Sequence, residues 1–377
     1  MTTKLPTLDS TQLTRAVALL DEEWLAHDPE LGPVMPLVLG RGVGQDWHKA
    51  GTFRHHLVGV TRTLTLWQQP LVVRQLGLLH SVYGNAHVDL VKFDPKSERG
   101  RLQEAVGQDA ERLIHLFCVM SRTELVRELF KGNLKQDGSL TITLNGAPFD
   151  LPPRDVAIYI VVTMADICEQ WYSWQDDIYM GYPDYKADNA QLHWGAALWP
   201  GPMRPSTYRW SQISKLATLL QHPGLKGLLP TPPVFDLGQG ALTAENEASA
   251  AALYWSVMQQ NQPMLSPDAT IAVLKQTIGL NPYVAEPYLV LAQLYMTFRN
   301  FEEGERYAAA GVQLVSCWGN SWDKRIGWDA WMSWGRVLLQ IGWDAWMSWG
   351  RVLLQSAQKR QWPETLNKLN NVALTPE

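Results

Sequence analysis

Residues 77–87 read GLLHSVYGNAH, in which an apolar run, Leu76, Leu78 and Leu79, delivers His80. A second histidine, His56, stands 24 residues upstream in the stretch HHLVGVTRTLTLWQQ, and Asp166 interrupts the apolar stretch VAIYIVVTMADI far downstream. A carboxylate inside an apolar helix needs a partner or a cation, because burying an uncompensated charge is costly. Two imidazoles and a carboxylate drawn from three helices can meet at the centre of a bundle and hold a divalent ion. His56, His80 and Asp166 are therefore the candidate ligands for one ion, with Mn, Fe and Zn all suited to such donors; the alternative is a metal-free, hydrogen-bonded polar core. His80, Ser81, Tyr83 and Asn85 cluster at the end of the helix that carries His80 and are the catalytic candidates. Arg99 and Arg101 are candidates for binding an anionic substrate or cofactor, as permanently charged fork donors, or else form a solvated face. His48 and His55 flank the start of the first histidine helix, and His55 is expected to be a surface neighbour of His56. Asp176 and Asp177 read as ordinary helix-end acids.

These side chains require helices to place them. Residues 8–27 predict an opening helix, and residues 28–45, rich in Pro and Gly, a loop. Leu57, Val60, Leu64 and Trp67 recur at spacings of three and four, the face of an amphipathic helix. The next helix begins near Pro70, which is tolerated in a first turn, and stops near Gly84-Asn85. One or two helices are expected over ERGRLQEAVGQDAERLIHLFCVMSRTELVRELF. The stretch GSLTITLNGAPFDL alternates instead and carries Asn145-Gly146, a hairpin turn signal. A long helix is expected over about residues 153–178. Residues 181–235 are loop-rich, with a helix near SQISKLATLLQH, and read as a connector.

The segment HLVGVTRTLTLWQQPLVVRQLGLLHSVYG resembles the first metal-binding segment of HD-superfamily proteins. It is similar to the stringent-response (p)ppGpp hydrolases and, more distantly, to diiron oxygenases such as myo-inositol oxygenase. It more closely resembles an uncharacterised domain family with the pattern H-L-x-G … G-L-x-H-S-x-Y-G. The resemblance spans about residues 45–178 and implies metal-binding roles for His56 and His80, with Asp166 as the terminal aspartate. Ser81 stands where the HD pattern has a metal-bridging aspartate, and a neutral hydroxyl is a far weaker ligand for a hard cation. Gly84 and Asn85 replace the acidic pair of the hydrolases, so (p)ppGpp hydrolysis is not expected. The additional histidines of the oxygenases have no clear match; His87 and His115 are the candidates.

The C-terminal part repeats. At an offset of 34 residues Ala251 pairs with Ala285, Tyr254 with Tyr288, Ile278 with Val312 and Leu280 with Leu314. Ser266-Pro267-Asp268 supplies an N-cap, a first-turn proline and a first-turn acid. A helix-turn-helix period of this length resembles the tetratricopeptide family, which implies an α-solenoid with a peptide-binding concave face. Small Ala292 and Ala308 are expected where helices approach closely. IGWDAWMSWGRVLLQ at 326–340 recurs unchanged at 341–355. Trp328, Trp331 and Trp334 are then either packing residues of a duplicated terminal helix or an aromatic ligand box.

The fold class expected is all-α: an N-terminal helix and loop (1–45), an HD-like helical bundle with a small β-hairpin (46–180), the connector (181–235) and a tetratricopeptide-like solenoid (236–377). The 377 residues carry a net charge of −5 and no basic run, which argues against a nucleic-acid partner. The longest apolar stretch is too short to span a bilayer. The N-terminus lacks a signal-peptide core, and Cys118, Cys168 and Cys317 share no ligand spacing, so a reducing, cytoplasmic setting is expected. Two functions are compatible with these residues. One is a metal-dependent hydrolase or oxygenase acting on a small, phosphorylated or unphosphorylated metabolite. The other is a non-catalytic binding or scaffold protein whose repeats dock a protein or peptide.

Overall fold

The computed structural model describes residues 5–48, 51–84, 90–169, 209–235, 240–258, 266–323 and 326–340. The opening segment is not one helix. Helix α1 (Ser10–Ala18) is capped by the Asp9 carboxylate, and a turn with Glu22 in the left-handed region separates it from the short α2 (Trp24–His27). The expected loop contains a 3-10 turn (Gly32–Val34) and a short helix, α3 (Met35–Leu39). A two-residue ladder, β1 (Trp47–His48) with β2 (Gly51–Thr52), which the sequence did not signal, leads into α4 (Phe53–Leu66). The Thr52 hydroxyl caps α4 by accepting from the His55 N–H at 3.2 Å. Pro70 then starts α5 (Leu71–Leu79), with His80 at its C-cap and Gly84 in the left-handed region just beyond.

The expected one or two helices are three: α6 (Arg99–Val106), α7 (Gln108–Val119) and α8 (Arg122–Phe130). Gly107, at φ +88°, breaks the first boundary, and Ser121 caps the second by accepting from the Glu124 N–H. The hairpin is as expected: β3 (Leu140–Leu144) pairs antiparallel with β4 (Ala147–Leu151). Asn145 and Gly146 both take positive φ, the geometry of a type I′ turn. Helix α9 (Pro153–Glu169) is buried continuously from Asp155 to Cys168. A helix apolar on every side belongs at the centre of a bundle, and α9 packs against α4, α5 and α10 (Arg209–Leu219).

The C-terminal helices follow in series: α11 (Ala244–Met258), α12 (Pro267–Leu280), α13 (Glu286–Thr297), α14 (Phe301–Trp318) and α15 (Trp328–Gln340), each packed on the next. Ala292 and Ala308 are fully buried, as expected of close approach. The tighter points are glycines: a Cβ at Gly311 would meet the Leu289 side chain at 2.6 Å. The second copy of the duplicated segment lies outside the described residues. In the first copy Trp331 and Trp334 stack with ring centroids 5.6 Å apart, and Trp328 Nε1 donates to the Val315 carbonyl at 2.7 Å, so these rings pack and cap. Among the described residues no helix is long and apolar enough to cross a membrane.

The end of α14 ties the series to the N-terminal bundle. The last carbonyls of a helix have no partner within it. Here Gln12 Nε2 donates to Ser316 O (3.0 Å), Trp67 Nε1 to Cys317 O (2.9 Å), Thr63 Oγ1 to Trp318 O (3.0 Å) and Arg62 Nε to Gly319 O (2.8 Å).

Glu286, at the start of α13, is buried and accepts the backbone N–H groups of Trp322 (2.6 Å) and Asp323 (3.1 Å). Burial, reinforced by the neighbouring Asp323, pushes its carboxyl from 4.5 to about 7. Between these values the folded protein holds a proton that the unfolded chain has released, so stability falls as pH rises through that window. Glu286→Gln keeps an oxygen acceptor and removes the charge. Urea denaturation should show the native protein losing about 2 kcal/mol between about pH 5 and pH 8 through this group, and the variant lacking that loss. Parallel pH dependence in both proteins would show that Glu286 titrates normally.

Candidate metal centre

Helices α4, α5 and α9 bring one side chain each to a single point. His56 Nε2 lies 3.1 Å from His80 Nε2 and 3.3 Å from Asp166 Oδ1, and His80 Nε2 lies 3.7 Å from the same oxygen. All three residues are buried, and together they form a group able to hold a metal ion. A tetrahedral ion bonded at about 2.0–2.1 Å sets its ligand atoms about 3.3–3.4 Å apart. The observed triangle has that size.

Each imidazole is oriented from behind. His56 Nδ1 contacts Glu169 Oε2, one turn after Asp166 on α9. His80 Nδ1 lies 2.8 Å from the Gly77 carbonyl, which can only accept, so Nδ1 carries the hydrogen and Nε2 faces the centre with its lone pair. Behind His80 the Cys118 thiol donates to the His80 carbonyl at 3.2 Å, and burial pushes that thiol up to about 12. Asp166 is held by Arg122, at the start of α8, through its second oxygen, Oδ2. Carboxylates or carbonyls behind metal-binding imidazoles fix tautomer and ring direction.

Charge follows geometry. Burial opposes a charge on His56, yet Glu169 and Asp166 outweigh it and raise the imidazole to about 9. His80 goes the other way, to about 4, because burial dominates and His56 and Arg122 oppose a second cation beside the attractive Asp166. Burial would raise Asp166, but Arg122 and the two imidazoles hold it well below the ordinary carboxylate range. Without an ion, protonated His56 and Arg122 balance Asp166 and Glu169; an ion would take the place of the His56 Nε2 proton.

The two glycines of the H-L-x-G and G-L-x-H pattern have steric causes. A Cβ on Gly59 would lie 2.6 Å from Glu169 Cγ, so the glycine opens the path by which Glu169 reaches His56. A Cβ on Gly77 would lie 2.2 Å from Leu64 Cδ1, so this glycine lets α5 approach α4 closely. Leu57 and Leu78 between them are fully buried.

The other sequence candidates fall elsewhere. Ser81 is fully buried beside His80, and its carbonyl accepts from the Gly84 N–H at 3.0 Å. Tyr83 donates to Glu111 Oε1 at 3.0 Å, and Arg99 grips the same carboxylate through Nε (2.7 Å) and Nη2 (2.9 Å). His115 packs edge-on against Tyr83, so these residues form a second cluster around Glu111. Arg101 is exposed and pairs with Glu98 at 3.8 Å. His55 is exposed, and the His48 ring sits 4.6 Å from the His56 ring. Asn85, His87, Asp176 and Asp177 lie outside the described residues. Arg122 and Glu169 were not anticipated from sequence. Glu169 had a signal, a second carboxylate one turn from Asp166; Arg122, which opens another helix, had none.

A family model matches part of this arrangement. Residues 37–122 are similar to a domain of unknown function, DUF6817. No curated protein and no solved structure matches the chain. The DUF6817-like segment contains both imidazoles and ends on Arg122, whereas Asp166 and Glu169 lie beyond it.

If Gly59 exists to admit Glu169, the cost of filling it depends on Glu169. Gly59→Ala should destabilise by about 1–3 kcal/mol. In a Glu169→Ala background the same change should cost little. Denaturation of the four proteins of this double-mutant cycle checks the coupling, and additive costs would refute the steric account.

Proposed function

We propose that this protein is a metal-dependent enzyme of the HD type, with His56 Nε2, His80 Nε2 and Asp166 Oδ1 holding one divalent ion. The observation that carries this reading is the convergence of these three buried donors with a separate partner behind each: Glu169, the Gly77 carbonyl and Arg122. A bound ion would supply a Lewis acid and lower the pKa of a coordinated water. Three protein ligands leave a four-coordinate ion one further position. Glu169 keeps the His56 donor atom inward, Arg122 keeps Asp166 ionised and aims Oδ1, and the apolar walls of α4, α5 and α9 exclude bulk water. The resemblance to HD proteins adds the reaction class: hydrolysis or oxygenation of a small metabolite. Ser81 in the aspartate position favours one ion over two.

A second reading rests on the charge balance. Arg122 and protonated His56 neutralise Asp166 and Glu169 without an ion, so the same cluster can serve as a buried polar core of a non-catalytic protein. In that case function passes to the helical pairs, whose helices α12 and α14 begin at Pro267 and Phe301, the 34-residue offset of tetratricopeptide repeats. Such repeats would dock a peptide or protein partner.

Metal content separates the two. Elemental analysis of the purified full chain should find about one Mn, Fe or Zn per molecule. Adding the matching ion to chelator-treated protein should raise its melting temperature, since an ion at about 100 times its Kd adds about 2.7 kcal/mol. His80→Gln should abolish that response, and Ser81→Asp should strengthen it by adding a carboxylate beside the centre. No ion and no metal-dependent shift in either the native or the Ser81→Asp protein would favour the polar core.

A further inference from the structure

IGWDAWMSWGRVLLQ stands at 326–340 and again, without one change, at 341–355. The first copy forms α15 from Trp328 onward, and its seat is built by residues outside the duplication. Trp328 Nε1 donates to the Val315 carbonyl of α14 at 2.7 Å, and the Arg62 guanidinium of α4 lies 4.4 Å over the Trp328 ring. Trp331, Met332 and Leu338 are buried. A Cβ on Gly335 would lie 2.7 Å from Val312 Cγ2 and 3.1 Å from Leu289 Cδ2, so this glycine lets α15 settle close to α13 and α14. Asp329, Ala330 and Ser333, on the opposite side of the helix, are exposed.

Each of these contacts needs a residue type that the second copy carries at the same place: Trp343, Trp346, Met347, Gly350 and Leu353. The seat therefore cannot tell one copy from the other by its side chains. It takes one copy at a time. At about 100° per residue, fifteen residues overshoot four turns by about 60°, so a helix running straight through both copies would turn the second set of tryptophans off the first set's face. Chain length decides which copy has the advantage. The backbone is anchored just before the seat, where Trp322 and Asp323 give their N–H groups to Glu286 and Tyr254 donates to Asp323 Oδ2 at 2.9 Å. Residues 324–327 join this anchor to Trp328, and residues 324–342 would join it to Trp343. Loop closure grows costlier as about the three-halves power of length, so the shorter linker favours the first copy only about tenfold. The Ile326 N–H also donates to the Asp323 carbonyl at 3.3 Å, a long bond that the first copy alone keeps.

We propose that the two copies are alternative occupants of this one seat and exchange within a single chain, which gives the protein two registers of its C-terminal helix. In the second register Trp343 takes the Val315 carbonyl and the face of Arg62, Trp346 and Met347 take the buried positions, and Gly350 takes the close approach to Val312. The exchange passes fifteen residues from the C-terminal side of the seat to its N-terminal side. The seat itself, and its hold on α4 through Arg62, stay the same.

Disulfide trapping in the full chain reads the register directly, because positions 312 and 335 meet at the closest point of the seat. With Val312→Cys in place, Gly335→Cys should close readily under mild oxidation. Gly350→Cys should close within one chain as well, about tenfold more slowly. Adding Trp331→Ala, which weakens the seating of the first copy, should speed that closure. Ser356→Cys, just past both copies, is the control and should not close; peptide mass mapping assigns each bridge. Urea denaturation supplies a measurement without cysteines. Trp331→Ala should lower the folding equilibrium constant by no more than about tenfold, because the second copy takes over at the cost of the longer linker. Trp346→Ala should leave it unchanged. The two together should lower it more than about a hundredfold, as truncation of a buried tryptophan does. The proposal is overturned if Gly350→Cys closes no faster than the Ser356→Cys control, if it closes only between two chains, or if Trp331→Ala alone costs as much as the double change.

Discussion

The structure turns on one buried charge. Asp166 lies in the middle of the molecule on a helix whose every neighbouring side chain is apolar or enclosed. A carboxylate in that position is tolerable only if opposite charge surrounds it. The chain supplies that charge from three elements distant in sequence: Arg122 from α8, His56 from α4 and His80 from the end of α5. Holding Asp166 ionised therefore fixes how these helices stand against α9. Glu169 extends the logic by one turn, because a second carboxylate against Nδ1 helps Asp166 outweigh burial and keep the proton on His56.

The same network accommodates either of two occupants at one point. A proton on His56 Nε2 and a divalent ion both satisfy Asp166 Oδ1 and His80 Nε2 from the same point. The ion would bring one more positive charge into the pocket than the proton it replaces, and Glu169 already serves in the ion-free balance; its side chain is 18% exposed against 5% for Asp166. The carboxylate nearest to solvent thus stands behind the imidazole rather than at the centre.

Much of this was legible from residue types. His56, His80 and Asp166 could be picked out because each is a polar residue delivered by an apolar helical pattern, and all three meet. The hairpin at Asn145-Gly146 was legible because its turn demands positive φ at both positions. The interrupted opening helix was not, because Glu22 adopts a left-handed backbone for which its side chain gives no local reason. Arg122 was not legible either: its role is set by where α8 docks, and nothing in SRTEL distinguishes it from a surface arginine. The motif glycines were visible as a pattern but not as a cause, since Gly59 is required by the path of Glu169, more than a hundred residues later in the chain.

Helix α4 carries the remaining consequence. Along its length and at its C-cap it presents His56 to the centre, Gly59 to Glu169, and Thr63 and Trp67 to the open carbonyls of α14. Arg62 adds a third bond to those carbonyls and lies over the Trp328 ring at 4.4 Å, so the duplicated tryptophan segment begins against the same helix. Three such bonds to one helix end are directional, unlike apolar contacts, and cannot all be kept if α4 rotates or slides. The C-terminal helices therefore act as a brace that fixes the register of α4, and the donor triangle at its other end inherits that rigidity. The DUF6817-like segment, which ends at Arg122, contains the imidazoles but neither the carboxylates nor this brace; in this chain the centre is completed by α9 and steadied by α14.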